Sequence, residues 1–266
     1  MKLEENLRKQ LGAELYQAWQ TRSGGELFSA RYPEITLVDA YNIQLYTLEH
    51  YIANGSRVTG KKIGLTSKAM QELFGVYEPD FGNLLDNLAF NSGAEIPADL
   101  LIQPKVEGEI AFVLNSDLTG KLITARDVLD ATAYVTAAIE VVDSRYGSWR
   151  NLKLNDSVSD NASFGAYVLG GTTCSVQDVD LRLVGMVLER NGAIVNTGAG
   201  AAAMGHPANC VAWLANKMNE FNTPLRKGDV ILSGAVTAAV EAKPGDYFRV
   251  QFDRLGDVSI SFGLPK

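Results

Sequence analysis

A chain of 266 residues with 46% hydrophobic and 21% charged content lies in the ordinary globular range and is long enough to bury a large core. Its net charge of −7, with Lys and Arg nowhere collected in a run, excludes the electrostatic footprint that nucleic acid or an anionic membrane surface demands. Two cysteines are too few for a disulfide framework and no apolar run could span a bilayer or serve as a secretory segment, so a cytoplasmic protein with a small-molecule or protein partner is expected.

Leu3, Leu7, Leu11 and Leu15 recur every four residues among charges, which predicts an amphipathic first helix broken at Ser23-Gly24-Gly25-Glu26. Thr36 with Asp39 offers a capping arrangement for a second helix, which places Tyr41, Leu45, Leu48 and Ile52 on one apolar side and stops at Gly55. From Val58 onward the texture changes to short β-rich runs punctuated by glycine, at 58–67, 105–114, 134–145, 166–171, 183–198, 228–234 and 245–263. The Asn191-Gly192 pair predicts a tight hairpin, because both centres of such a turn need positive φ. Two helices interrupt the strands. Thr124 and Asp127 cap one running through Val135, and Pro207 opens another whose Val211, Leu214 and Met218 share a face. The expectation is a single α+β catalytic domain over 1–266: a helical N-terminal part, 1–55, then a mixed, largely antiparallel β-rich core, 56–266.

The run Lys105 to Leu114, KVEGEIAFVL, reads as a strand that carries Glu107 and Glu109 two residues apart. Strand side chains alternate, so these carboxylates share a face, roughly 7 Å apart along the chain. An acidic solvated face would explain the pair alone. Glu140 adds a third acid within Ala138-Ile139-Glu140-Val141-Val142, where a lone charge in a buried strand needs a partner. Carboxylates that share a pocket repel unless a divalent ion sits among them, and oxygen-only ligation suits Mg²⁺ or Mn²⁺. Asp143 is a rival third ligand, with a structural role as the partner of Arg145 as its alternative.

Of Lys61 and Lys62 one must point toward the core side; Lys61 reads as the surface residue and Lys62 as the candidate electrophile or acid. Asp80, between Pro79 and Gly82, reads as a loop acid, either a turn former or a catalytic group. Asn161, Ser163 and Ser233 supply amide and hydroxyl groups that either orient a substrate carboxylate or form turns. Gly198 to Ala203 matches a dinucleotide-binding pattern, but it follows a hairpin strand rather than opening a parallel unit, so close backbone packing is the better account. His50 and His206 fit no metal spacing, and Cys174 and Cys210 have no adjacent histidine, which removes the familiar nucleophilic hydrolases.

The segments GKKIGLTSKAMQ, PDFGNLLD, QPKVEGEIAFVL, AIEVVDSR, SDNAS and GDVILSG, in this order, resemble the hydratase and decarboxylase branch of the fumarylacetoacetate hydrolase superfamily. The resemblance implies a twisted mixed β-roll, a divalent Mg²⁺ or Mn²⁺ held by Glu107, Glu109 and Glu140, and roles in the reaction for Lys62 and Asp80. It implies hydration of 2-hydroxypenta-2,4-dienoate to 4-hydroxy-2-oxopentanoate in meta-cleavage degradation of aromatic compounds. The alternatives are decarboxylation of 4-oxalocrotonate (2-oxo-3-hexenedioate), or service as a noncatalytic partner of such an enzyme. Asp80 favours hydration, since the decarboxylases of that branch lack an acid there. The resemblance also implies a homo-oligomer and a possible association with a 4-oxalocrotonate decarboxylase.

Overall fold

The computed structural model describes residues 2–265. Helix α1 (Glu5–Thr21) buries Leu11 and Leu15 and ends at Arg22, whose left-handed backbone donates back to the carbonyl of Ala18. A short turn, α2 (Phe28–Arg31), leads to α3 (Leu37–Ala53), which starts at the predicted Thr36/Asp39 capping box. The buried side of α3 is not the apolar one: Asp39, Ala40, Ile43, Gln44, Thr47 and Tyr51 face inward, while Leu45 and Ile52 are 54% and 50% exposed. Polar contacts decide this. Asp39 accepts from the amide of Leu3, and Gln44 Nε2 donates to the carbonyls of Phe81 (3.0 Å) and Val158 (2.9 Å), so turning the helix would strand buried backbone acceptors.

The β-rich part begins with β1 (Val58–Gly64), helix α4 (Lys68–Phe74), β2 (Asp80–Leu85) and the short β3 (Ala89–Asn91) and β4 (Ala94–Ile96). β5 (Lys105–Leu114), helix α5 (Ala125–Asp130), β6 (Thr132–Val142), helix α6 (Leu154–Ser159) and β7 (Phe164–Leu169) follow. The chain continues through β8 (Gly185–Arg190), β9 (Ala193–Ala199), α7 (Pro207–Glu220), β10 (Val230–Leu232), β11 (Val240–Glu241), β12 (Tyr247–Phe252) and β13 (Gly256–Phe262). An eight-stranded sheet has the order β2-β1-β10-β5-β6-β7-β3 with β11 also on β5; a five-stranded sheet runs β4-β13-β12-β8-β9. Pairing is mixed: β1 with β10, β3 with β7 and β4 with β13 are parallel, the rest antiparallel.

Helix α5 stops five residues short of Val135, because Thr132 is already paired with Leu114 of β5. Asn191 and Gly192, at φ 54° and 80°, make the expected β8–β9 turn. At the dinucleotide-like stretch, a Cβ on Gly200 would lie 1.8 Å from the carbonyl oxygen of Leu181, so the backbone packs too closely for any side chain. His206 caps α7 by accepting from the amide of Ala208.

The two sheets pack face to face. Val106, Ile110 and Phe112 of β5 and Ile139 and Val141 of β6 meet Met186, Phe248, Val250 and Ile260 of the second sheet. Alternation then forces Glu107 and Glu109 onto the opposite face, the one covered by Tyr16 and Tyr51 of the N-terminal helices and by Leu84, Phe164 and Tyr167. The fold therefore carries its acids between the central sheet and the helical part.

Candidate active site

Glu107 stands directly opposite Glu140 in the β5–β6 register, and Glu109 is one alternation further along β5. One carboxylate oxygen from each of the three lies within 4.8 Å of the others. Lys62 on β1 projects onto the same face, its Nζ 3.1 Å from Glu140 Oε1 and 3.0 Å from the carbonyl oxygen of Ala162. Asp80 opens β2 opposite Gly64; it is a strand residue and not the loop acid expected, because β2 pairs along the whole of β1. A Cβ on Gly64 would sit 2.2 Å from Asp80 Oδ1 and 3.5 Å from Lys62 Nζ, so glycine is what lets the acid and the amine approach one another. Lys62, Asp80, Glu107 and Ser163 line a cleft of about 390 Å³, whose other walls include Lys105 and Trp149.

Charge is concentrated here. Burial, then Glu140, pushes Glu107 up to about 7. Burial and the same neighbour hold Glu109 well above its ordinary value, and Glu140 is raised by burial against the pull of Lys62. Burial alone would lower Lys62; the carboxylates of Glu140, Asp80, Glu107 and Glu109 outweigh it and raise the amine, which stays an ammonium at neutral pH. Burial raises Asp80, with Lys62 opposing. Glu109 Oε1, Glu140 Oε2, Asp80 Oδ1 and Ser233 Oγ are buried without a hydrogen-bond partner, and Glu140 Oε1 faces only the ammonium of Lys62. An all-oxygen donor set left without donors, with three acids against one lysine, fits an oxygen-ligated divalent cation.

The neighbouring residues divide. Glu109 Oε2 accepts from the amide of Gly234 at 2.7 Å, so the Ser233-Gly234 turn aims that carboxylate. Ser163 Oγ lies 3.1 Å from Ser157 Oγ at the cleft wall. The amide of Asn161 is directed away from the cleft: Oδ1 accepts from Asn83 N at 2.7 Å and Nδ2 donates to Asn83 O at 2.9 Å, which suits a residue that fixes the backbone rather than one that touches substrate. Asp143 is not among the three clustered acids. Its carboxylate accepts from the amides of Ile102 and Gln103, and Arg145 is held mainly by Asp160, through Nε at 2.5 Å, so neither role expected of Asp143 is its principal one. Lys61, expected at the surface, is half-buried against Asn83, and burial lowers it to about 8.

One feature escaped the sequence. Asn161, Ala162 and Ser163 are consecutive non-glycine residues at φ 53°, 51° and 57°, a left-handed turn that points the Ala162 carbonyl at Lys62. Such a conformation is strained for Ala and Ser and persists only where its surroundings impose it. Here Asn83 clamps one side, and the Arg145–Asp160 pair, with Arg145 Nη1 on the carbonyl of Phe164, clamps the other. Only the asparagine, the residue most tolerant of this region, gave a signal in the sequence.

The fold and site together set three buried carboxylates, an ammonium and a fourth acid about one cleft, a donor set that an oxygen-ligated divalent ion would suit. Residues 77–261 match the family described as fumarylacetoacetate (FAA) hydrolase, C-terminal. A 2-keto-4-pentenoate hydratase of Paraburkholderia xenovorans (strain LB400) is 46% identical over 255 residues, 96% of this chain and 94% of the relative. A 2-hydroxypent-2,4-dienoate hydratase of Pseudomonas putida is 50% identical over 220 residues, 82% of this chain and 99% of its own. The solved 4-oxalocrotonate decarboxylase of Pseudomonas putida G7, complexed with magnesium and adipate, superposes with a TM-score of 0.94 at 36% identity over 98% of each chain. The chain belongs to the fumarylacetoacetate hydrolase family.

Proposed function

We propose that this protein is a divalent-metal-dependent hydro-lyase that adds water to 2-hydroxypenta-2,4-dienoate, giving 4-hydroxy-2-oxopentanoate. The hydratases among its relatives support the reaction, and the magnesium of the related decarboxylase supports Mg²⁺, with Mn²⁺ the other ion suited to the donor set. Glu107, Glu109 and Glu140 would hold the ion, which when bound would supply positive charge to stabilise electrons withdrawn from the conjugated chain. Lys62, kept as an ammonium and already bound to Glu140 and Ala162, has one N–H left to donate to the C2 oxygen. Asp80, whose raised pKa keeps a proton available nearer neutrality, protonates C5 as the enol O–H releases its proton to solvent; its carboxylate then takes a proton from the water whose oxygen adds at C4, and solvent returns one proton to C3. Ser163 and the Ser233-Gly234 turn position the carboxylate end and Glu109, respectively.

The observation that carries the reading is Asp80: a buried acid with an oxygen free of partners, in the same cleft as the lysine and the acid cluster. Incubating the purified protein with 2-hydroxypenta-2,4-dienoate and Mg²⁺ should yield 4-hydroxy-2-oxopentanoate, and chelator should stop it. Release of CO₂ from 2-oxo-3-hexenedioate without hydration of the dienoate would replace this reading with the decarboxylase one, which the likeness to the Pseudomonas putida G7 enzyme keeps in view.

A further inference from the structure

Lys105 opens β5 two residues before Glu107, and strand alternation puts it on the same face, at the mouth of the cleft. Its Nζ sits 4.4 Å from the centroid of the Trp149 ring. That ring is itself fixed, because Trp149 Nε1 donates to the carbonyl of Gln103 at 2.9 Å. Among the described residues the cleft is lined by two cations, Lys62 and Lys105. Lys62 is paired with Glu140, whereas among the described residues Lys105 has no carboxylate within ion-pair distance and no hydrogen bond from its ammonium. The remaining wall, with Leu65, Met70, Phe74 and Leu152 beside the hydroxyl residues Thr66, Ser67, Ser157 and Thr237, offers a second anion no further cation.

Resting on the hydratase reading above, we propose that Lys105, seated on Trp149, receives the C1 carboxylate of the substrate, so that the cleft selects 2-oxo and 2-hydroxy acids with an uncharged tail. Proton transfer at C4 and C5 belongs to the Asp80 side, so the carboxylate end lies toward the β5–β6 acids, within reach of a lysine on the same strand face. A cation held on an aromatic shelf is oriented before the anion arrives, and little side-chain freedom is lost on binding. A carboxylate at the far end would be desolvated with no cation to pair it.

The test is calorimetric titration of the Mg²⁺-saturated protein with 2-oxopentanoate, an unreactive monocarboxylate, and with 2-oxohexanedioate, its dicarboxylic counterpart. Wild-type protein should bind the first more tightly. K105M should weaken 2-oxopentanoate by about 10- to 100-fold, the range expected for a lost charge-assisted hydrogen bond, and K105R should recover most of it. K105Q serves as a second neutral variant should K105M fail to fold. Mn²⁺ affinity measured without the acid should be unchanged in each. Binding of 2-oxopentanoate by K105M within about twofold of wild type, a loss confined to the dicarboxylate, or a loss of Mn²⁺ affinity each overturns the assignment. Failure of wild-type protein to bind either acid would instead bring down the site reading on which it rests.

Discussion

Replacing Glu107 with Gln removes one ionisable carboxyl and nearly preserves the side chain's shape. In the metal-free chain, burial and then Glu140 hold this group at about 7, against an ordinary 4.5. The unfolded chain ionises it as pH rises past its ordinary value, while the folded chain keeps the proton for longer. The stability this provides is complete below the ordinary value and is lost as pH climbs through about 7, beyond which the ionised group opposes folding by about 3 kcal/mol. Without metal, E107Q should therefore be more stable than wild type at about pH 8.5, by up to about 3 kcal/mol, and should lose less stability between about pH 5 and that point. Saturating Mg²⁺ should reverse the order. Wild type gains about 4.1 kcal/mol at a thousandfold excess over its dissociation constant, more than its deficit of about 3, and the variant gains far less. Urea unfolding of chelator-treated protein, with and without added Mg²⁺, measures both. A metal-free variant less stable than wild type at alkaline pH, or an equal response to Mg²⁺, would refute the reasoning.

Asp80→Asn should slow hydration by about 10²- to 10⁴-fold with Mn²⁺ affinity unchanged, as measured by turnover and metal titration, since the proposed work of Asp80 is proton transfer. Lys62→Gln should lower kcat by about 10²-fold or more, because no ammonium then faces the C2 oxygen; steady-state kinetics at saturating substrate would expose an unimpaired variant. Asn161→Ala should destabilise the fold by about 2–3 kcal/mol in urea unfolding. It removes all three side-chain bonds to Asn83 and leaves Ala at φ 53°, so a change within experimental error would deny the turn its clamp.

The acid cluster was legible because strand alternation is a strict rule. Once 105–114 and 134–145 read as strands, Glu107, Glu109 and Glu140 had few faces to choose between, and the hairpin at Asn191-Gly192 was legible for the same local reason. The inward side of α3 was not, because hydrophobic periodicity cannot see an interface made of Asp39 with a backbone amide and of Gln44 and Thr47 with backbone carbonyls. Asp80 was misplaced for lack of any apolar alternation around it: every residue of β2 is buried, so both faces carry the same signal. The left-handed turn at Asn161 to Ser163 contains no glycine to announce it and is imposed by partners at positions 83 and 145. Arg145 likewise found its principal buried partner in Asp160, fifteen residues away, with the nearby Asp143 at a longer 3.9 Å.

The central claim is that Glu107, Glu109 and Glu140 hold one divalent ion at the reacting end of the cleft. Crystals grown with Mn²⁺ and 2-oxopentanoate and measured for manganese anomalous scattering test it most directly. The account predicts a single strong peak bounded by the three carboxylates, with the acid's C1 carboxylate and C2 oxygen turned toward it. A peak elsewhere, or an acid bound in the cleft with no manganese among the three glutamates, would contradict it.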